Sequence, residues 1–466
     1  MSFDFDTYLS TFTWRYGSTE MREIWSETYK RKLWRRLWVA LARAQQRAGL
    51  VRQAQVDELE AHKGEIDVAA AHAIEAQIHH DLMAEVRVFA EQCPNAGGII
   101  HLGATSMDIE DNADAMRLRD ALDYVIAGLR GLLAIFCDQI EQHANLACMG
   151  HTHIQPAEPT TVGFRLAQYA QDLHTDLLML HHIRAGIRGK GFRGAVGTAA
   201  SYHELLSGTG LTPQMMEQQI MAEIGLEAFD VTTQTYPRKQ DWHVLNALAG
   251  LAGSIYKFSL DLRILQAPPY GEWAEPFGKK QVGSSAMPFK RNPIRAERLS
   301  SLGRLAIAWP HVAWDNAAHS MLERTLDDSA NRRTILPQSF LLVDEMLRLA
   351  TRIVKDLRLD TDAIGHNLER YGIFSAVERV LMALGRAGAD RQAMHEILRE
   401  HSMAAWEAVS TGQPNPLVQR LSSDDRLLAY LSGAEIVSLL DASEYTGDAA
   451  HRARQLVELI RTTLQV

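Results

Sequence analysis

Cysteine is scarce in this chain of 466 residues: Cys93, Cys137 and Cys148 are its three. An odd, sparse set builds no disulfide framework, and the spacing matches no metal finger, so a reducing, cytoplasmic setting is expected. The opening Met1-Ser-Phe-Asp-Phe-Asp lacks the basic stretch and apolar core of a secretory leader. Nowhere does an uncharged apolar run approach the roughly 20 residues of a membrane helix. A basic excess is missing too: 48 Lys+Arg stand against 57 Asp+Glu, for a net charge of −9. That balance argues against nonspecific nucleic-acid binding. Internal repeats and low-complexity tracts are absent. The 46% hydrophobic and 23% charged content is that of a globular protein. Its length allows about three domains at roughly 150 residues each.

The most informative scarcity is that of proline, whose 14 copies are unevenly spread. None occurs over 1–93, 95–155 or 338–413. Proline costs about 3 kcal/mol inside a helix, so these voids permit very long helices. Leu118, Leu122, Val125, Leu129, Leu132, Phe136 and Ile140 recur on one helical face. The span from Asn112 to about Asn145 would make a rod of roughly 50 Å. Similar stripes run through Leu166–Leu180, Leu245–Leu265 and, after Pro337, Phe340–Leu357. No alternating pattern is long enough for a large sheet. The spacing predicts an all-α fold, a bundle of long helices.

Where proline does crowd, it marks a loop. Pro268, Pro269, Pro276, Pro288 and Pro293 fall in 26 residues with Gly271, Gly278 and Gly283. Long irregular loops in compact domains are functional or disordered. This one carries Gly283-Ser284-Ser285-Ala286-Met287-Pro288-Phe289-Lys290-Arg291-Asn292-Pro293. Its hydroxyls and lysine suit a lid over a reacting centre, and its apolar middle is unlike a plain solvated linker.

Other motifs carry weaker signals. Gly189-Lys190-Gly191-Phe192-Arg193-Gly194 matches G-x-G-x-x-G, but a helical stripe precedes it where a dinucleotide site needs a strand. His79-His80-Asp81 and His151-Thr152-His153 cluster possible ligands. Adjacent histidines on a helix point about 100° apart, and no H-E-x-x-H occurs, so no metal site is expected. Asp327, Asp328 and Ser329 are helix N-caps. With Arg324 and Arg333 nearby, they make either an anion site or an ordinary charged helix start. In His101–Asn112, Thr105 and Ser106 either cap the following helix or bind a ligand carboxylate.

Together these segments carry a resemblance. Residues 283–293 closely resemble the signature of the fumarase/aspartase superfamily of lyases. His101–Asn112, Gly150–Gly163, Gln234-Thr235-Tyr236 and Glu323–Arg333 resemble, in order, segments of its adenylosuccinate lyase family, the animal type in particular. The match runs from about Arg15 into the C-terminal region. It implies three helical domains, placed here at 1–105, 106–360 (a central bundle with the lid at 268–293) and 361–466. It also implies a homotetramer with a helical core and active sites shared between subunits.

The implied reaction is β-elimination of fumarate without cofactor or metal, from adenylosuccinate and from the succinylated carboxamide ribotide of purine synthesis. Partners would be these small nucleotides, with neither nucleic acid nor membrane. By resemblance Ser284 is the base, with Ser285 as its neighbour in reserve, and His153 is the general acid. Substrate binding falls by the same resemblance to His80, Asp81, Thr105, Ser106, Thr152, Gln234, Lys290 and Asn292. Arg15, Tyr16, Arg298, Arg324, Ser329 and Arg333 match positions that hold the nucleotide, largely its phosphate; guanidinium donates bidentately there. His79, His151 and Phe289 depart from the family pattern, and the two histidines are expected to shift local pKa values. The alternatives are argininosuccinate lyase, whose substrate has no phosphate for Arg15, Tyr16, Ser329 and Arg333, and a non-catalytic structural relative.

Overall fold

The structure is a computed structural model that describes residues 4–465; Met1–Phe3 of the N-terminal stretch discussed above, and Val466, lie outside it. Helices dominate. Those that matter below are α1 (Glu27–Arg47), α2 (Val68–Ile78), α3 (Asp81–Gln92), α4 (Ser106–Gln142), α5 (Val162–Ala185), α6 (Pro213–Ile224), α7 (Lys239–Gln266), α8 (Ile294–Ala306), α9 (Ser329–Lys355), α10 (Thr361–Arg386) and α11 (Arg391–Ser410). The all-α expectation holds. The expected rods are present: α4 has 37 residues, α7 28 and α9 27. Pro337 lies inside α9 rather than ahead of it. Its missing N–H removes one helical hydrogen bond, a loss the flanking turns and packing absorb.

The predicted stripes are the buried ones. Leu118, Leu122, Val125 and Leu129 of α4, and Phe340, Val343 and Leu347 of α9, are all at most 3% exposed. Strands are short. Only one pair exceeds two residues per strand among the described residues: β1 (Ala147–Thr152) pairs antiparallel with β2 (Gln155–Thr161). This hairpin has no alternating apolar pattern and was not legible as sheet.

Two compact units share the chain. Of the described residues, the first comprises 4–129, Asp176–Gly253 and Ser301–Arg348. Its buried polar elements include Glu85, whose carboxylate takes both Arg31 (3.0 Å) and Arg35 (2.7 Å). The second comprises Arg130–Thr175, Ser254–Ser300 and 349–465. In it α10 packs on β1, β2 and α11, with Met149, Val380, Leu384 and Leu398 in the core.

Candidate active site

In the first unit, α4 begins at Ser106 with Asp108 entirely buried. The Asp108 carboxylate reaches back to the Thr105 N–H (3.1 Å), half of a capping box. The cap is thus made by Asp108. Among the described residues, the Thr105 and Ser106 hydroxyls have no hydrogen-bond partner. Below them Asp111 accepts the Tyr236 N–H (2.8 Å) and an Arg238 guanidinium N–H (2.9 Å). Arg238 also binds Asp328. Arg332 joins Asp241 (2.7 Å) and Asp114 (3.2 Å). This buried lattice of alternating charge knits three motifs that are far apart in sequence. The Gln234 N–H completes it by donating to the Glu323 carbonyl (3.1 Å).

The lattice supports a cleft of about 120 Å³ lined by Asp81, Glu110, Arg324, Ser329, Arg332 and Arg333, among others. Four predicted residues meet there: Asp81, Arg324, Ser329 and Arg333. Arg333 donates to Asp81 (2.8 Å) while 59% of its side chain stays exposed. Burial pushes the Asp81 carboxyl up, but Arg333 and the Leu82 N–H outweigh it and hold the group below its usual value. Asp328 behaves alike: burial opposes ionisation, and Arg238, Arg332 and Arg324 win. His80 caps α3, with Nδ1 accepting the Met83 N–H (3.4 Å). His79 ends α2 in the left-handed region at φ 55°. The two histidines therefore sit at different helix ends, His80 capping with its side chain and His79 with its backbone N–H.

Glu110 and Arg332 were not singled out by sequence. Burial and the neighbouring Asp81, Asp114 and Asp111 push the Glu110 carboxyl up to about 8, against the pull of Arg333. The signal was there: Met107, Glu110, Asp114 and Arg117 line the cleft at spacings of three, four and three, one helical face. Arg15 and Tyr16 are not among the cleft-lining residues. Arg15 lies 5.6 Å from the Trp14 ring. The following turn is held by Glu345, which accepts the Gly17 N–H (3.2 Å).

The G-x-G-x-x-G run is structural. Lys190 is fully buried against Asp108, which also accepts the Arg193 and Gly194 N–H groups (3.2 and 3.1 Å). A Cβ on Gly189 would overlap Asn112, and one on Gly191 would overlap Glu217. The glycines permit close packing on α4 and α6, and no phosphate cradle is left.

The second unit holds the other motifs. Thr152 and Gln155 pair across a two-residue loop, with His153 at φ 53° and Ile154 at φ 61°. Two positive φ values are what a type I′ turn requires, a geometry suited to Asn-Gly. For non-glycine residues it costs roughly 1–2 kcal/mol each. A register irregularity between Met149 and His151 re-aims the tip. The tip holds His153 and Ile154 out to solvent. His151 is edge-on to Tyr270, ring centroids 5.1 Å apart. Burial and the nearby Arg165 lower its pKa, against Glu272, so it is neutral near pH 7.

The loop expected to act as a lid runs from Ala267 to Pro293 between α7 and α8, broken only by the two-residue strand Trp273–Ala274. Its neck is pinned where the Asn292 side-chain amide donates to the Gly283 carbonyl (2.9 Å). Gln266 clamps both limbs, donating to the Arg291 carbonyl and accepting the Glu275 N–H, each at 3.0 Å. Within the loop the Ser284 hydroxyl oxygen accepts the N–H groups of Ala286 (3.3 Å) and Met287 (3.1 Å). Such donors favour a serine alkoxide. Lys290 is exposed beyond them, and Arg298 lies on α8. No hydrogen bond joins His153 to Ser284, Lys290 or Asn292 among the described residues. Thr152, His153, Ser284, Lys290, Asn292 and Arg298 thus belong to one unit, and the Arg324–Ser329–Arg333 cleft belongs to the other.

Comparison with known proteins is consistent along the chain. Residues 9–306 match a family described as Lyase, and 374–456 one described as Adenylosuccinate lyase C-terminus. An adenylosuccinate lyase of Schistosoma mansoni is 39% identical over 90% of this chain and 88% of its own. That of Saccharomyces cerevisiae is 36% identical over 98% and 95%. Among solved structures, a 3-carboxy-cis,cis-muconate lactonizing enzyme from Pseudomonas putida superimposes with a TM-score of 0.85 at 26% identity, covering 98% of this chain and 99% of that one. A fumarate lyase from Mesorhizobium sp. BNC1, at 22% identity and a TM-score of 0.83, shares the fold.

Proposed function

The chain belongs to the adenylosuccinate lyase family, and from that premise we propose that it splits adenylosuccinate into AMP and fumarate. It acts likewise on the succinylaminoimidazole carboxamide ribotide, releasing the carboxamide and fumarate. The observation that carries the reading is Ser284, whose oxygen is met by two backbone N–H groups on a lid. A base must remove a poorly acidic proton from the succinyl carbon next to a carboxylate. Those two dipoles, with Lys290 drawn in on closure, stabilise the serine alkoxide that takes it. The electron pair forms an aci-carboxylate dianion, then the new C=C bond as the C–N bond breaks. His153 delivers a proton to the departing nitrogen, so nucleotide and fumarate leave with all atoms accounted for.

Lys290 and Asn292, with Thr105 and Ser106, hold the succinyl carboxylates in this reading. His80, Asp81, Thr152 and Gln234 contact substrate. Arg15, Tyr16, Arg298, Arg324, Ser329 and Arg333 hold the nucleotide, largely its phosphate. The gathering of Arg324, Ser329 and Arg333 at one cleft supports a phosphorylated substrate over argininosuccinate. No cofactor or metal takes part. We further propose three segments, 1–105, 106–360 and 361–466, and a homotetramer whose sites draw on several subunits. The exposed tip with Ile154 at 61% supports this, since a general acid held out to solvent needs a partner surface. Three free, buried thiols and the absence, among the described residues, of any helix long and apolar enough to cross a membrane support a cytoplasmic setting.

The test is an ultraviolet assay of purified protein with each purine substrate and no added metal. Turnover is expected; none on either substrate would sink the reading. Ser284→Ala and His153→Ala should each lose orders of magnitude in kcat. Mixed after subunit exchange, the two inactive variants should recover part of it.

A further inference from the structure

Besides its packing on α10, the hairpin that carries His153 is held at two points that involve the segment Tyr270–Glu272. At its base, Arg165 donates to the Met149 carbonyl (2.5 Å) and to Glu272 (2.9 Å). At its tip, the Tyr270 hydroxyl donates to the Ile154 carbonyl (3.3 Å), and the Tyr270 ring meets His151. The anchoring segment is itself well held. The N–H groups of Tyr270 and Gly271 both return to the Ala267 carbonyl at 2.9 Å. Asn367 donates to the Tyr270 carbonyl (2.9 Å) and to Glu272 (3.1 Å).

The tip needs an outside restraint. Ile154 is β-branched and sits at φ 61°, a region such residues avoid. Strained backbone of this kind persists only where its surroundings over-determine it. Were Ile154 to relax to negative φ, the peptide before it would rotate and carry His153 with it. We infer that Tyr270 is a positioning residue for the elimination: by holding the Ile154 carbonyl it keeps the His153–Ile154 turn left-handed and aims the imidazole. This rests on the reading of His153 as general acid. A displacement of about 1 Å at a reacting group costs on the order of a hundredfold in rate, so a single hydroxyl that aims the imidazole matters.

The experiment uses the full chain as Tyr270→Phe, Ile154→Gly and the double variant. Steady-state kinetics on adenylosuccinate are measured alongside hydrogen exchange over 147–161 and the melting temperature. Tyr270→Phe should lower kcat by about tenfold or more, with KM and Tm unchanged and faster exchange in the hairpin. Adding Ile154→Gly, a residue at home at positive φ, should restore kcat to within about twofold, because the turn then needs no clamp. A purely structural role would predict loss of Tm and no such rescue. Wild-type kcat in Tyr270→Phe, or a loss that Ile154→Gly does not repair, overturns the inference. Were the wild-type protein to turn over no adenylosuccinate, the functional reading would fall. Unchanged hairpin exchange in Tyr270→Phe would then overturn the positioning claim separately.

Discussion

Removing either half of the buried Asp108–Lys190 pair should destabilise the protein unequally, and the order is set by what each partner retains. Both side chains have no exposed surface. In Lys190→Met the Asp108 carboxylate keeps four donors: the N–H groups of Thr105 (3.1 Å), Arg193 (3.2 Å) and Gly194 (3.1 Å), and the Tyr202 hydroxyl (3.3 Å). In Asp108→Ala the Lys190 ammonium keeps only the Gly194 carbonyl (3.0 Å), and those four donors lose their acceptor. Breaking a buried pair costs roughly 3–5 kcal/mol. Lys190→Met belongs near the low end, and Asp108→Ala at or above the high end, a gap of about 2 kcal/mol set by the hydrogen bonds left unmade. The assay is urea unfolding followed by tryptophan fluorescence, at a single protein concentration because assembly adds concentration-dependent stability. AMP affinity is measured in parallel. Lys190→Met is expected to leave that affinity within about twofold, since a buried, paired lysine is not offered to a phosphate. Equal losses, the reverse order, or a Lys190→Met variant of full stability that no longer binds AMP would refute the reasoning.

Glu110 supplies a pH signature. Its folded pKa of about 8 lies above the ordinary 4.5. Between those values the folded protein holds a proton that the unfolded chain has lost. Its stabilisation is therefore fully present below about pH 4.5 and disappears as pH rises toward 8. Glu110→Gln should flatten the fall in Tm between pH 5 and 8; an unchanged slope would remove Glu110 as the cause. In the lid, a Cβ on Gly283 would overlap the Lys290 carbonyl and press on the Phe277 ring, prising open the neck pinned by Asn292. Gly283→Ala should lower kcat by about tenfold or more with Tm unchanged, because the loop is largely exposed; full activity would show that the neck need not stay closed.

Much of this protein was legible in its residues, for identifiable reasons. Helix period and proline spacing are local properties, so Leu118 to Ile140 announced α4, and the crowd from Pro268 to Pro293 announced the long loop between α7 and α8. The cleft at Arg324, Ser329 and Arg333 was legible in part, because its helix start has cap and charge signals within ten residues. The hairpin was not. Its sequence Ala147–Thr161 has no apolar alternation, and it pairs because α10 and the Arg165–Glu272 bridge support it. Whether Gly189–Gly194 holds a phosphate or packs on helices depends on Asn112 and Glu217, which lie far off in sequence.

The sequence by itself determined the class of fold, the rods, the long proline-rich loop and the family, since each rests on neighbours along the chain. Only the tertiary structure decided which charges are buried and which stay at the surface. Burial beside a partner turns Lys190 into scaffold, whereas Arg333, paired with Asp81, keeps most of its side chain exposed. The Glu110 proton and the aim of His153 are likewise set by groups that only folding brings within a few ångströms, the range over which charge and hydrogen bonding act.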